Sequence, residues 1–240
     1  MFTTQDRDFL MEIQNTNPEI YDFITHLQEE QAYDIRVGCH DICNTISVIF
    51  GNFQLIELTN PLLKNSSRWK QIKDDVHYLV HTMEGISTYR YARKINPVMT
   101  NVQTFMTRLM AFTANNIKYS SLHLQFNTAS STMEILMDTE KVTYIINSIL
   151  DNLTEVTPNA YVTISTECTD TNFCINVSDN VSIIPDEIRE NLFQPFITNK
   201  QQHVGLSLAT SYQIMLAHNG SLDYIADPDR GHTFVLNFKR

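Results

Sequence analysis

HDICNTISVIFGNFQLI, residues 40–56, carries apolar side chains at Ile42, Ile46, Ile49, Phe53 and Ile56, spaced 4, 3, 4 and 3 residues apart. Alternating fours and threes keep side chains on one face of a helix and make a coiled-coil-like seam. His40 lies two residues before the first member of that seam, at the flank of the stripe. Asp41 follows it, and Asn44 lies one helical turn on from His40. An imidazole beside a carboxylate and an amide, held on a rigid helix, suits proton or phosphoryl chemistry. The same pair on an amphipathic helix is also an ordinary polar flank, so the rest of the chain decides between them.

Outward from this stretch the pattern repeats. Thr59-Asn60-Pro61 is a helix stop, and a short polar connection runs through Ser66-Ser67. Trp69, Ile72, Val76, Leu79, Met83 and Ile86 then recur at spacings of 3, 4, 3, 4 and 3. Two seamed helices joined by a short loop form an antiparallel hairpin. A lone hairpin cannot bury both stripes, so a homodimeric four-helix bundle is expected; packing of both seams on the rest of the same chain is the alternative. Upstream, a short helix is expected from about Asp6 to Gln14, followed by a break at Asn17-Pro18. A second helix, carrying Ile20, Phe23, Ile24, Leu27 and Ile35, is expected to run on into the His40 segment.

The chain has 240 residues, of which 42% are apolar and 18% charged, so it can bury a core. A formal net charge of −10 with scattered basic residues argues against nucleic acid as a partner. Cys39, Cys43, Cys168 and Cys174 form no CxxC pair and read as reduced thiols of a cytoplasmic protein. No signal peptide and no 18-residue apolar run is present, so no membrane span is expected.

Past Arg90–Pro97, which reads as a linker, the periodicity changes. A helix is expected from Val102 to Asn115, strands at Leu122–Phe126 and Met133–Met137, and a helix from Asp138 to Leu153. That helix would bury Val142, Ile145, Ile146, Ile149, Leu150 and Leu153. Tyr161–Glu167 and Asn172–Ser178 alternate like two strands of a meander. Ser207–Leu216 is helical and stops at His218-Asn219-Gly220. Ser221–Ile225 and Thr233–Phe238 close the chain as strands around the turn Asp227–Gly231. Helices on one face of a mixed or antiparallel sheet make this half α+β.

Four segments of this half fall in a telling order: DTEKVTYIINSILDN (138–152), INVSDNVSIIP (175–185), NLFQPFITNK (191–200) and HVGLSLATSYQIMLAHNGSL (203–222). They resemble the N box, first glycine box, F box and second glycine box of the histidine-kinase ATP-binding domain and the wider GHKL ATPases. The hairpin resembles the dimerisation and phosphotransfer domain, whose H box begins with His-Asp or His-Glu. The resemblance covers about residues 30 to 240. It implies an N-terminal extension over 1–29, a helical hairpin over 30–93 forming a dimeric four-helix bundle, and a GHKL-type α/β sandwich over 97–240.

The resemblance also assigns roles. His40 would be the phospho-acceptor, nucleophilic in the neutral form that dominates near neutral pH. Asp41 would orient it and act as base. Asn44 resembles the residue that positions a water in kinases that also dephosphorylate their partner. Asn152 would hold magnesium bridging the phosphates of ATP. Asp179 would accept a hydrogen bond from the adenine amino group, and Phe193 and Phe196 would hold the lid.

The pattern also departs from the family's. Both glycines of the first box are absent, with Val181 and Ile183 in that stretch. His203-Val204-Gly205-Leu206-Ser207 keeps one glycine of three, Ser148 replaces an asparagine, and the short lid offers only Lys200 to phosphate. Those glycines allow close approach to phosphate and positive φ, which Val181 cannot adopt cheaply. Two main expectations follow. One is a cytoplasmic histidine kinase that phosphorylates His40 from ATP and passes the group to an aspartate of a response-regulator receiver domain. The other is an ATP-independent histidine phosphotransferase with a degenerate ATPase domain. A third is a regulator-binding adaptor without chemistry.

Overall fold

The computed structural model describes residues 9, 12–128, 133–157, 159–169, 171–180, 184, 186–198, 200, 203–227 and 231–239. For residues 25, 27–40, 186, 187 and 227 it gives the backbone alone. The start of the expected Asp6–Gln14 helix, Val181, Ile183 and part of the Asp227–Gly231 turn lie outside the described residues. The chain divides into two compact units, 1–84 and 85–240.

In the first unit, α1 runs unbroken for 42 residues, Pro18–Thr59, with proline at its first turn where no N–H partner is needed. A 3-10 turn at Pro61–Asn65 leads into α2, Ser67–Arg90. The two helices are antiparallel neighbours. Phe50 meets the His77 ring edge-on at 4.6 Å, and Phe53 packs on Trp69 at 4.8 Å. Glu57 accepts from Trp69 Nε1 at 2.9 Å and pairs with Lys73 at 3.0 Å.

This pairing splits each seam in two. Ile46, Val76 and Met83 are buried. Ile42, Ile49 and Ile56, seven residues apart, remain 41–50% exposed, as do Ile72 and Leu79 at 44% and 47%. Half of each stripe closes the hairpin, and half is left uncovered by the partner helix.

The second unit opens with β1, Val98–Asn101, which pairs antiparallel with β3, Glu134–Met137. β1 was not expected; four residues are too few for alternation to register. Between them lie α3, Val102–Asn115, capped by Asn101 accepting from Thr104 N, and β2, His123–Asn127. α4, Thr139–Val156, begins at Asp138, whose carboxylate accepts from Lys141 N and Asn96 N. β4, Tyr161–Cys168, and β5, Asn172–Asp179, form the meander. A short helix α5, Asp186–Arg189, precedes α6, Ser207–Ala217, then β6, Ser221–Asp227, and β7, Gly231–Lys239.

The main sheet is mixed, in the order β2-β4-β5-β7-β6, with β2 parallel to β4 and the other pairs antiparallel. All six apolar positions expected on α4 are buried. They pack with Ile164, Ile175, Val177, Ile214, Leu236 and Phe238 in one core. The fold class is thus a helical N-terminal region followed by a mixed α/β unit, as the pattern predicts. Among the described residues no helix is long and apolar enough to cross a membrane. Cys43, Cys168 and Cys174 are free thiols.

Candidate nucleotide site

Strand alternation fixes where polar groups can enter the core layer. β5 buries every second residue, Phe173, Ile175, Val177 and then Asp179. The register pairs Asp179 with His232 of β7, which stands at the end of the buried row His232, Phe234, Leu236, Phe238. A carboxylate and an imidazole thus finish an otherwise apolar face. His232 Nε2 lies 2.7 Å from Asp179 Oδ2, and both side chains are almost wholly buried. Gly231 precedes His232 at φ +90, and a Cβ there would collide with the backbone of Asp179.

His232 of this pair lines a cavity of about 370 Å³. Ile149, Leu153 and Val156 of α4 form one wall, Phe234 and His232 a second, and Ile184, Ile188 and Leu192 a third. The rim carries Asn152, Thr198, Lys200, His203 and Ser207. An apolar slot with a few polar groups in its lining is the usual form of a small-molecule site. Tyr224 packs against the His232 ring at 5.3 Å, and its hydroxyl accepts from Ile184 N at 3.0 Å. Burial, then the Asp179 charge, pushes that phenol above its ordinary range.

The lid is short and clipped at its neck. Phe196 N donates to Gly205 O at 2.9 Å. Phe196 adopts φ +67, a region bulky residues avoid. Gly205 has φ +70, and a Cβ there would lie 2.6 Å from Ile197 O. The one retained glycine is therefore required by the neck of the lid. Phe193 stacks on Tyr212 of α6 at 5.4 Å and anchors the segment, whereas the Phe196 side chain is exposed and contributes through its backbone.

At the rim, Lys200 Nζ donates to Glu155 Oε2 at 2.7 Å, to Asn152 Oδ1 at 3.3 Å and to Asn152 O at 3.4 Å. His203 Nε2 stands 3.4 Å from the same Glu155 oxygen. Neither the Lys200–Asn152 contact nor the Asp179–His232 pair was legible beforehand, since each joins residues about fifty positions apart. A neutral amide and a carboxylate oxygen around one cation are donors that suit magnesium equally, so the rim fits the metal that the GHKL resemblance implies.

Of the other expected residues, His40 lies on α1, with only its backbone described. Asp41 and Asn44 are exposed on the same helix.

Residues 137–240 match the family described as histidine kinase-, DNA gyrase B- and HSP90-like ATPases. The chain is 41% identical over 56 residues to the sensory histidine kinase/phosphatase NtrB of Azospirillum brasilense, a match covering 23% of this chain and 14% of that protein. Its fold is similar to the crystal structure of full-length ShkA in complex with AMPPNP, with a TM-score of 0.67 at 14% identity over 87% of this chain and 45% of that one. It is also similar to the histidine kinase ThkA crystallised with the response regulator protein TrrA, with a TM-score of 0.58 at 16% identity over all of this chain and 68% of that one. The chain spans 10% to 39% of the length of such curated relatives. The family match is thus to an ATPase region over residues 137–240, with a helical unit ahead of it.

Proposed function

We propose that the chain is a protein-histidine kinase of a two-component system or phosphorelay. ATP enters the 370 Å³ cavity with its base in the slot between α4 and β7. The observation that carries this reading is the combination lining that slot: apolar side chains, His232 held by the buried Asp179 behind it, and a cation-holding amide, Asn152. Asn152 and Glu155 would hold magnesium, which when bound withdraws charge from the phosphates. His40 attacks the γ-phosphorus, the bond to the β-phosphate oxygen breaks, and ADP leaves. Asp41 takes the imidazole proton and orients the ring, and Asn44 positions a water if the phosphorylated partner is hydrolysed. A receiver-domain aspartate then accepts the phosphoryl group from His40.

The uncovered half of each hairpin seam supports a homodimer, since a second copy would present the same Ile42, Ile49 and Ile56 stripe. We place the activity in the cytoplasm, where ATP and receiver domains are available. One observation favours a second reading, the ATP-independent phosphotransferase: the glycine that box retains, Gly205, is already demanded by its close approach to Ile197, whatever it does for phosphate.

γ-labelled ATP should label the protein, and His40→Ala should abolish the label. A labelled His40→Ala variant would sink both readings. Absence of ATP label, with His40 still accepting phosphate from a phosphorylated receiver domain, would establish the phosphotransferase.

A further inference from the structure

We propose that Lys200 is a built-in counter-cation that lets this site bind a nucleotide polyphosphate without a divalent ion; this rests on the nucleotide reading of the cavity. The oxygens that suit a metal at the rim are Asn152 Oδ1, Asn152 O and Glu155 Oε2, and a single ammonium meets all three, at 3.3, 3.4 and 2.7 Å. Lys200 reaches them from the segment between Phe196 and Gly205, whose ends are joined by the hydrogen bond from Phe196 N to Gly205 O. The Lys200 side chain is only 23% exposed, so its charge acts where solvent screens it weakly. A compact ammonium with three rotatable donors can exchange the Glu155 carboxylate for a phosphate oxygen while keeping Asn152. His203, 3.4 Å from the same carboxylate, is placed to keep Glu155 occupied when Lys200 turns to phosphate. A divalent ion at Asn152 and the ammonium are alternatives for one position, so each makes the other dispensable for binding.

The test is ATP affinity by calorimetry, with magnesium and again with excess EDTA, on the full chain and on Lys200→Met and Glu155→Gln. Wild type should bind within about threefold in the two buffers. Lys200→Met should lose about tenfold or more in EDTA, the scale of one charge-assisted contact, and recover with magnesium, which then has Asn152 to itself. Glu155→Gln, by removing the competing carboxylate, should tighten binding in EDTA. Wild-type binding that collapses in EDTA, or Lys200→Met binding unchanged there, would overturn the proposal and leave the nucleotide site standing. No ATP binding by any variant in either buffer would overturn the nucleotide reading and this inference with it. The unfolding midpoints of the variants, compared with wild type, show that the fold is intact.

Discussion

The two units of this chain treat their apolar residues differently. In the second, Ile145, Ile146, Leu150, Ile164 and Ile175 are fully buried within one core. In the first, Ile42, Ile49 and Ile56 remain 41–50% exposed although their spacing is just as regular. Periodicity alone does not say what a stripe packs against. The second unit completes itself because helices and a sheet cover each other, whereas two helices have only one another and leave half of each seam over.

The comparison breaks first at the exposed stripe. Replacing Ile49 and Ile56 by aspartate should raise the dimer dissociation constant about a hundredfold or more, since each buried isoleucine is worth roughly 1.5–3 kcal/mol and each occurs twice in a dimer. Sedimentation velocity reads this out, and the unfolding of the second unit should not move. A wild type that is monomeric at high concentration would mean that the stripe has another occupant. Ile145→Ala tests the other side. It should destabilise the second unit by about 2–5 kcal/mol, seen in denaturant unfolding, and leave the dimer constant unchanged.

The smallest expected effect sharpens the hairpin alone. Hydrogen bonds from Lys73, then Trp69, hold the Glu57 carboxyl below its usual range. A lowered folded value means that this contribution is present above the ordinary glutamate value of about 4.3 and is lost as pH falls through the lowered one. Trp69 is the single tryptophan, so its fluorescence follows this unit selectively. Its unfolding midpoint should fall on acidification below about pH 4, and Glu57→Gln should flatten that dependence.

How much was legible follows the range of the interactions. The six buried positions of α4 and the five of the α1 seam lie within one helix, where spacing states the face directly. The stop at Thr59 and the cap at Asp138 depend on neighbours in sequence. What was missed is non-local. Asp179 and His232 lie one residue beyond the expected strands Asn172–Ser178 and Thr233–Phe238, and only the β5–β7 register brings them opposite. Gly205 looked like a phosphate-binding glycine, yet its need is the carbonyl of Ile197. Lys200 was visible as a cation, but not what it holds.

The Phe196–Gly205 clip has a consequence for time rather than affinity. A long strap must order itself over each incoming ligand, which slows arrival and prolongs occupancy. Here the hydrogen bond from Phe196 N to Gly205 O joins the ends of a segment that is short in sequence. A short segment needs little rearrangement on arrival, and departure would then wait on contacts at the rim. On the proposed nucleotide reading, such a site would exchange its occupant quickly and follow the ambient nucleotide pool.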